Sequence, residues 1–343
     1  VILDMHQDIY GPTFGGRGAP EWTVRDDGLP FNPRSPWWLN NIEPAVQACY
    51  FHFYEDEDLR QEYVDAWMVL VDATAGHPAL LGYDLQNEPF QGTYGLYEFE
   101  AEVLNGFYQR LIDAIREVDQ DSWILFEPQA WTVNSGFRAS DLMPLSGERL
   151  AYFPHLYRPD IHEGAAYTGP DGYLETWAER RIVEAERLGT PVLIGELGAF
   201  YDGEGHDDWV RAVLEMAEEV TVGWTFWHFG FGGGFNIVDE DRSEHAIADA
   251  YVRTYAQRVA GEPTSHSFDP ATGEMVLTFR NRAGTRGPTV VFVPESRHYP
   301  SGWTLEVSDP EGTWSSEWDP DRELLSIRHD PGTPTHTIRI SAN

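Results

Sequence analysis

Short apolar runs alternate with longer amphipathic segments over residues 1–260 of the chain. Short runs bounded by polar residues predict buried strands, and apolar residues recurring every three or four positions predict helices. Strands and helices in alternation predict a parallel sheet covered by helices. The predicted strands are VILDMH (1–6), LLGYDLQ (80–86), SWILFEPQ (122–129), LAYFPHLY (150–157), PVLIGELGA (191–199) and VGWTFWHF (222–229).

Five segments between or after these strands have helical periodicity. In the second of them, Leu104, Phe107, Leu111 and Ile115 recur at spacings of three and four, so one stripe of the helix faces the sheet. The predicted helices are 57–75, 97–118, 172–188, 207–219 and 243–259.

Polar side chains stand at the carboxyl ends of five of the six predicted strands. In a β/α barrel the loops at that end converge on one mouth, where active sites are assembled. We therefore expect a functional site there. The residues at these strand ends are His6 with Asp8, Asn87 with Glu88, His155 with Tyr157, Glu196, and Trp227 with His228.

The composition changes after residue 260. The remaining segment is rich in Thr, Ser, Pro and Gly, and strand-length alternation is interrupted by turn sequences such as DPATG and DPEG. This pattern predicts a small antiparallel β-sandwich. We therefore predict two domains, a barrel over 1–260 and a sandwich over 261–343.

The formal net charge is -34, from 57 acidic residues against 23 basic ones, all of them arginine. Such a surface repels nucleic acids and anionic membranes, which excludes the nucleic-acid-binding class. No apolar run has the length of about 18 residues that a membrane span needs. The single cysteine, Cys49, excludes an internal disulfide and is expected to be buried.

A carboxylic acid that directly follows a buried strand costs free energy unless it is paired or used. Glu88 follows such a strand in NEP, and Glu196 does so in GELG. Retaining glycosidases need two facing carboxyl groups about 5–5.5 Å apart, one a nucleophile and the other an acid that later acts as a base. From its neighbours we assign Glu88 as the acid/base, with Asn87 holding a sugar hydroxyl. Glu196 is assigned as the nucleophile, kept ionised by a donor such as Tyr157.

The motifs DMHQD, NEPF, HLY, GELG and the tryptophan of TFWHF resemble the strand-end motifs of glycoside hydrolase family 5. Longer stretches, among them DMHQDIYGPTFGGRGAPEW and VFVPESRHYPSGW, resemble its endoglycoceramidase branch. The resemblance covers nearly the whole chain. It implies a (β/α)8 TIM barrel followed by a C-terminal β-sandwich, and hydrolysis with retention of configuration.

The resemblance also implies a role for each strand-end residue. Glu88 and Glu196 are the implied catalytic pair, and His155 reaches the acid/base while Tyr157 hydrogen-bonds the nucleophile. The residues implied around the reacting sugar are His6, Asp8, Asn87, His155, Tyr157 and Trp227, with the indole of Trp227 as a stacking platform.

The family pattern places two further strand–helix units before the strand that carries DMH. We expect this chain to be amino-terminally incomplete, because six strands leave two open edges that a barrel does not tolerate. Completion of the barrel by a partner chain is the alternative.

Three groups of residues allow a second interpretation. His6, His155 and His228 with Asp8 could suggest a metal site, but they lack the tight spacing of ligand histidines, and we expect no metal and no cofactor. Asp319, Asp321 and Glu323 resemble a calcium loop without its required glycine and glutamate, which favours a solvated turn. The aromatic residues of SPWWLNN (35–41) are either core packing or a wall facing lipid or sugar.

The expected function is hydrolysis of the bond between the glycan and the lipid of a glycolipid. An exo-acting β-glucosidase or glucosylceramidase, or another family 5 glucanase, is the alternative within the enzyme class. A non-catalytic carbohydrate-binding protein is the alternative outside it. The expected partner is a glycolipid or β-glucoside, with possible surface contact with lipid or detergent micelles, and the expected location is secreted or extracytoplasmic.

Overall fold

A computed structural model describes all residues, 1–343. It confirms all six predicted strands, each shorter than its apolar run. The first four form one sheet in the order β1–β2–β3–β4 with parallel pairing. A parallel bridge from Tyr152 to Val192 continues the sequence, and β5 neighbours β6. The strands are β1 Ile2–Asp4, β2 Gly82–Asp84, β3 Trp123–Phe126, β4 Leu150–Tyr152, β5 Leu193–Ile194 and β6 Gly223–Trp224.

Four of the five predicted helices are confirmed. The stripe of Leu104, Phe107, Leu111 and Ile115 is buried, as its spacing predicts. The segment from Leu96 to Val118 includes a π-helical portion, Phe99–Leu104, between α3 and α4. The helices are α1 Pro44–Glu55, α2 Glu57–Thr74, α3 Leu96–Glu98, α4 Asn105–Val118, α5 Ala130–Asn134, α6 Pro159–His162, α7 Tyr173–Leu188, α8 His206–Glu219, α9 Ala248–Tyr251 and α10 Glu295–His298.

The chain divides into two compact units. The first comprises 1–163, 179–197 and 224–226, and the second comprises 164–178, 198–223 and 227–343. The first unit contains β1 to β5 with α1, α2 and α4, and one hydrophobic core joins β1 to β4 with these helices, while Leu193 of β5 packs against a separate small cluster. Cys49 lies in α1 and is buried, as predicted.

Two buried aromatic side chains in the core of the first unit have their polar atoms paired. Trp67 of α2 is fully buried, and its indole Nε1 donates a hydrogen bond to the carbonyl of Leu85 at 3.1 Å. Tyr83 of β2 is equally buried and donates its hydroxyl to Asp119 at 2.8 Å. Buried aromatic side chains with paired polar atoms fix the depth at which helix and strand meet. The strand ends that follow are therefore held in place by the packing of this core.

The tail of the second unit contains two antiparallel four-stranded sheets. Their strand orders are β12–β13–β10–β7 and β11–β14–β9–β8, and inward side chains of both sheets form one hydrophobic cluster. These strands are β7 Tyr255–Arg258, β8 Glu262–Asp269, β9 Glu274–Arg280, β10 Thr289–Phe292, β11 Trp303–Val307, β12 Ser315–Asp319, β13 Leu324–Arg328 and β14 Thr335–Ala342.

The prediction of a helix over 243–259 is wrong. Only α9 is helical there, and Tyr255–Arg258 forms β7, which pairs antiparallel with β10. The β-branched residues Val252 and Thr254 favour an extended backbone, and the neighbouring strand supplies the hydrogen bonds that a helix would have made internally.

The limits of the barrel in the sequence are the subject of two predictions. The domain boundary at 260 stays a prediction, and so does the expectation that two strand–helix units precede β1.

None of the helices combines the length and the apolar character that crossing a lipid bilayer requires.

Candidate active site

Three of the parallel strands bring their terminal polar residues to a single histidine. Nδ1 of His155 lies 3.0 Å from Oε1 of Glu88 and 3.6 Å from Oε2 of Glu196. Its other nitrogen, Nε2, lies 3.2 Å from Oε1 of Glu127. All four residues belong to the first unit. The side chain of His155 is only 1% exposed, so these carboxylates rather than water are its partners.

The shared nitrogen sets an upper limit on the separation of the two predicted catalytic acids. The named oxygens of Glu88 and Glu196 cannot be farther apart than the sum of their distances to Nδ1 of His155. That limit is compatible with the short separation of retaining glycosidases, about 5–5.5 Å. The side chains of Glu88 and Glu196 are 28% and 18% exposed, so solvent and a substrate can reach both.

The charges around His155 give Glu88 and Glu196 different pKa values. Burial would lower the pKa of His155, but the charges of Glu127 and Glu196 raise it well above its ordinary value. Burial would raise the pKa of Glu88, yet the hydrogen bond from His155 lowers it. Burial, with the charges of Glu88 and Glu127, raises the pKa of Glu196 to about 7 in spite of His155. In the free site the two acids therefore hold one proton between them below a pH of about 7 and above the lowered pKa of Glu88.

Further hydrogen bonds fix the orientation of both acids. The hydroxyl of Tyr157 donates to Oε2 of Glu196 at 3.0 Å. Nδ2 of Asn134 lies 3.4 Å from Oε1 of Glu88, while Oδ1 of Asn134 accepts the backbone N–H of His155 at 3.0 Å. Asn134 thus ties the backbone that carries the histidine to the carboxylate that the histidine contacts.

The backbone of Glu88 is held in a conformation that a glutamate rarely adopts. Its φ is 43°, in the left-handed region, which costs a non-glycine residue about 1–3 kcal/mol unless its surroundings impose it. The side-chain amide of Gln7 imposes it by donating to the carbonyls of Asn87 and Glu88, at 3.0 and 2.9 Å. The backbone N–H of Glu88 is bonded in turn to Oε2 of Glu127 at 3.0 Å.

Gln7 and Glu127 are site residues that the sequence reasoning did not single out. Gln7 stands between two predicted residues in DMHQD, and its carbonyl oxygen accepts the hydroxyl of Tyr50 at 2.8 Å. Glu127 is fully buried and directly follows β3 in FEP, a sequence close to NEP. The signal for Glu127 was available, because it is a polar residue near the end of the third predicted strand, 122–129, the one strand for which no strand-end residue was named.

Both glycines of GELG stand where a side chain would collide with a neighbour. A Cβ at Gly195 would lie 2.9 Å from Cδ2 of His155, and one at Gly198 would lie 2.6 Å from the backbone carbonyl of Trp227. Real side chains do not sit this close to other atoms, so any residue but glycine displaces the strand. The strand end that carries Glu196 therefore approaches His155 closely because the residue before the acid has no side chain.

The strand end after β1 carries a chain of charges. Nδ1 of His6 lies 2.7 Å from Asp4, its Nε2 lies 3.5 Å from Asp8, and Asp8 also contacts Nε of Arg17 at 3.1 Å. Burial would lower the pKa of His6, but its hydrogen bonds with Asp4 and Asp8 raise it to about 10. The resulting positive charge of His6 favours the ionised form of both catalytic candidates, as a smaller influence than burial and His155.

Asn87 and Trp227 are the remaining predicted site residues. Asn87 is buried and donates its amide to the carbonyl of Gln7 at 2.9 Å, while its Oδ1 has no hydrogen-bond partner within the protein. Trp227 lies in the second unit, and its peptide bond to His228 is cis. The stacking role of Trp227 and the sugar contacts of Asn87, His6 and Asp8 stay predictions.

The alternatives raised for the aromatic loop and the acidic turn resolve differently. Trp38 packs edge-on against Trp131, with a distance of 5.0 Å between ring centroids, whereas Trp37 is 47% exposed, so the loop supplies both a packed and a solvent-facing indole.

The acidic segment after β12 forms a turn. The carboxylate of Asp319 accepts the backbone N–H groups of Asp321 and Arg322, both at 3.2 Å, as in an ordinary turn.

The sequence matches two family models that together cover most of its length. Residues 1–233 match the model described as cellulase (glycosyl hydrolase family 5), and residues 253–341 match the glycoside hydrolase family 5 C-terminal domain. The chain belongs to glycosyl hydrolase family 5. It is therefore a glycoside hydrolase, with the barrel-like fold of that family and a C-terminal domain of antiparallel sheets.

The relatives of this family 5 chain include characterised glycolipid enzymes. Endoglycoceramidase I of Rhodococcus hoagii (strain 103S) is 28% identical over 99% of the chain, which spans 70% of that protein. An endoglycoceramidase of Hydra vulgaris is 27% identical over 90% of the chain, which spans 64% of that protein. Endo-glycoceramidase II from Rhodococcus sp., in a complex with ganglioside GM3, aligns with a TM-score of 0.91 at 30% identity and covers all of this chain and 80% of its own. The same enzyme as a lactosyl-enzyme intermediate aligns with a TM-score of 0.89 at 31% identity over the same shares.

The hydrogen bonds of Gln7 predict the effect of removing them. We expect Gln7→Leu to lower kcat by about 10- to 100-fold with a smaller change in KM, because Glu88 loses the contacts that hold its strained backbone. The free energy of unfolding should fall by about 1–3 kcal/mol. Steady-state kinetics and thermal unfolding measure both, with the exposed Gln120→Leu as the matched control. Wild-type kcat in folded Gln7→Leu protein would show that Glu88 does not depend on Gln7.

Proposed function

We propose that this family 5 chain is a retaining β-glycosidase that cleaves the bond between the glycan and the lipid of a glycolipid. Glu88 is the acid/base and Glu196 the nucleophile. The observation that carries this proposal is the convergence of both carboxylates on Nδ1 of His155. Two acids so close together repel each other, and this cost in stability is expected where both acids are needed for catalysis.

In the first displacement, a carboxylate oxygen of Glu196 attacks the anomeric carbon and forms an ester with the glycan. The bond from that carbon to the lipid oxygen breaks, and Glu88 donates its proton to the departing oxygen. The hydroxyl of Tyr157, 3.0 Å from Oε2 of Glu196, orients the attacking group. Glu88 ends this step ionised and hydrogen-bonded to His155.

In the second displacement, Glu88 takes a proton from a water molecule, whose oxygen attacks the same carbon. The ester bond breaks, Glu196 leaves as a carboxylate, and the glycan is released with its original configuration. His155 supports this step because its charge lowers the pKa of Glu88 and so favours the ionised base.

The reactive form of the enzyme has the shared proton on Glu88. In the free site the proton affinity of Glu196 is the higher of the two, so the reactive form is the less populated arrangement of the same proton. The two arrangements carry equal charge, and pH fixes only the number of bound protons and not their location. The assignment of roles therefore rests on the hydrogen bonds of Tyr157 and on the family motifs.

The substrate class follows from the relatives. Endoglycoceramidases align along nearly the whole chain, and a related enzyme is known as a complex with ganglioside GM3 and as a lactosyl-enzyme intermediate. A lactosyl group is a disaccharide, so the related enzyme holds more than one sugar when the ester forms. We propose the same endo action here, with sugar hydroxyls held by His6, Asp8 and Asn87 and one sugar face on Trp227. Secretion, contact with lipid or detergent micelles, and a domain boundary at 260 are proposed on the same resemblance.

The released sugar tests the substrate class directly. We expect lactosylceramide in detergent micelles to yield intact lactose and ceramide, because endo cleavage leaves the disaccharide whole. Chromatography with mass spectrometry identifies the products. Free glucose from glucosylceramide together with no cleavage of lactosylceramide would instead support an exo-acting glucosidase, and activity on β-glucans alone would support a glucanase.

Azide distinguishes the two glutamates by the anomer that it forms. With 2,4-dinitrophenyl β-lactoside, we expect Glu196→Ala to be nearly inactive and azide to restore turnover with formation of the α-glycosyl azide, because azide replaces the nucleophile. We expect Glu88→Ala to give the β-glycosyl azide, because azide then attacks the ester intermediate. Glu117→Ala, on the exposed face of α4, serves as the control. Exchange of the two anomers between the variants would reverse the assigned roles.

The shared proton predicts a bell-shaped dependence of kcat/KM on pH. Above a pH of about 7, the pKa of Glu196, the pair loses its single proton and no acid remains for the leaving oxygen. Below the lowered pKa of Glu88 the pair binds a second proton and no ionised nucleophile remains. Initial rates on a soluble aryl glycoside measure both limbs. A rate that keeps rising from pH 7 to pH 9 would contradict the proposed pair.

A further inference from the structure

A buried cluster of two histidines and one aspartate lies in the tail of the second unit and includes none of the residues assigned above. It consists of Asp309, in the turn after β11, His329, directly after β13, and His336 of β14. The side chains of Asp309 and His336 are fully buried and that of His329 is 5% exposed. One ligand atom from each lies within 4.8 Å of the others.

The proton on His336 is fixed by its neighbour Asn281. The side-chain nitrogen of Asn281 donates to the backbone carbonyls of Pro331 and Thr333, so its oxygen faces Nε2 of His336, at 3.1 Å. Nε2 of His336 must therefore carry hydrogen. Its other nitrogen, Nδ1, lies 2.6 Å from Oδ1 of Asp309, and a neutral ring would present a lone pair to that carboxylate. A proton between the two atoms satisfies both at this distance, and a metal ion bound to both would take its place only if the atoms moved apart.

His329 also has one ring nitrogen beside a hydrogen-bond partner and the other facing Asp309, at a longer distance. Its Nε2 lies 3.0 Å from Oγ1 of Thr289, and its Nδ1 lies 3.7 Å from Oδ2 of Asp309, beyond hydrogen-bond distance. Nδ1 of His329 is buried and has no hydrogen-bond partner. A buried polar atom without a partner destabilises the folded state. A cation between this nitrogen and Asp309 would remove that cost.

We propose that Asp309, His329 and His336 bind one Zn²⁺ ion between the two antiparallel sheets. Two imidazole nitrogens and a carboxylate form a ligand set that suits zinc rather than calcium or magnesium. Asn281 and Thr289 occupy the outer nitrogens of the two rings, which is how metal-bound histidines are oriented in proteins. Ligand atoms around a tetrahedral zinc are about 3.3 Å apart, given metal bonds of about 2.0 Å, so small movements of the 2.6 and 3.7 Å contacts complete the site.

The ion would join the two sheets of the tail. His336 belongs to the sheet that contains β9 and β14, and His329 directly follows a strand of the sheet that contains β10 and β13. Phe279 of β9 contacts both histidine rings, with centroid distances of 4.8 and 4.9 Å. Zinc bound here stabilises the folded tail, because the ligands are brought together only by folding.

Zinc titration of the whole protein tests the site. After treatment with a chelator and dialysis, we expect one equivalent of Zn²⁺ by calorimetry and by elemental mass spectrometry, and a higher Tm with zinc than without it. His329→Gln should weaken zinc binding at least about tenfold. The exposed His77→Ala is the matched control, and His6→Ala tests whether the strand-end histidine takes up the ion instead.

Cobalt gives a measurement that needs no variant. Co²⁺ added to the chelated wild-type protein should produce the visible absorption bands of a four-coordinate ion with nitrogen and oxygen ligands, and Zn²⁺ should abolish them. Absence of zinc binding and of these bands in the wild-type protein would overturn the proposal and leave a hydrogen-bonded Asp–His pair. Unchanged stoichiometry and affinity in folded His329→Gln would overturn it as well.

Discussion

The site depends on a buried histidine whose two ring nitrogens both face carboxylates. Nδ1 of His155 contacts Glu88 and Glu196, and Nε2 contacts Glu127, with water excluded from the ring. A neutral imidazole has only one N–H and would leave one carboxylate opposite a lone pair. A charged imidazole satisfies both sides, and it is the compensation that allows three acids to lie so close together around a buried ring. The division of proton affinity between Glu88 and Glu196 is a consequence of this charge.

The fold contributes rigidity at the places where the site is energetically costly. Glu88 has a left-handed backbone, and the hydrogen bonds of Gln7 and Glu127 impose it from both sides. Gly195 lets the strand that carries Glu196 come within van der Waals contact of His155. Strain and close approach at the strand ends, above a well-packed core, are the pattern expected where a structure has been arranged for chemistry rather than for stability.

The barrel strands and the two principal acids could be predicted from the sequence because both depend on local pattern. Apolar runs mark strands, and an acid directly after such a run is conspicuous. Gln7 could not be found in this way, since its role depends on two backbone carbonyls about 80 positions away in the chain. The helix predicted over 243–259 failed because pairing with β10 decides the conformation of Tyr255–Arg258. The cluster of Asp309, His329 and His336 was also missed, because folding of the two sheets is what brings these residues together.

The charge of His155 can be measured directly by nuclear magnetic resonance of protein labelled with ¹⁵N at its 12 histidines. The signals of His155 are assigned by their loss in His155→Gln. The account predicts that both ring nitrogens of His155 carry hydrogen at pH 7 and remain protonated well above the ordinary pKa of histidine. A neutral His155 at pH 7, with hydrogen on one nitrogen only, would contradict the shared charge on which the proposed arrangement of Glu88 and Glu196 rests.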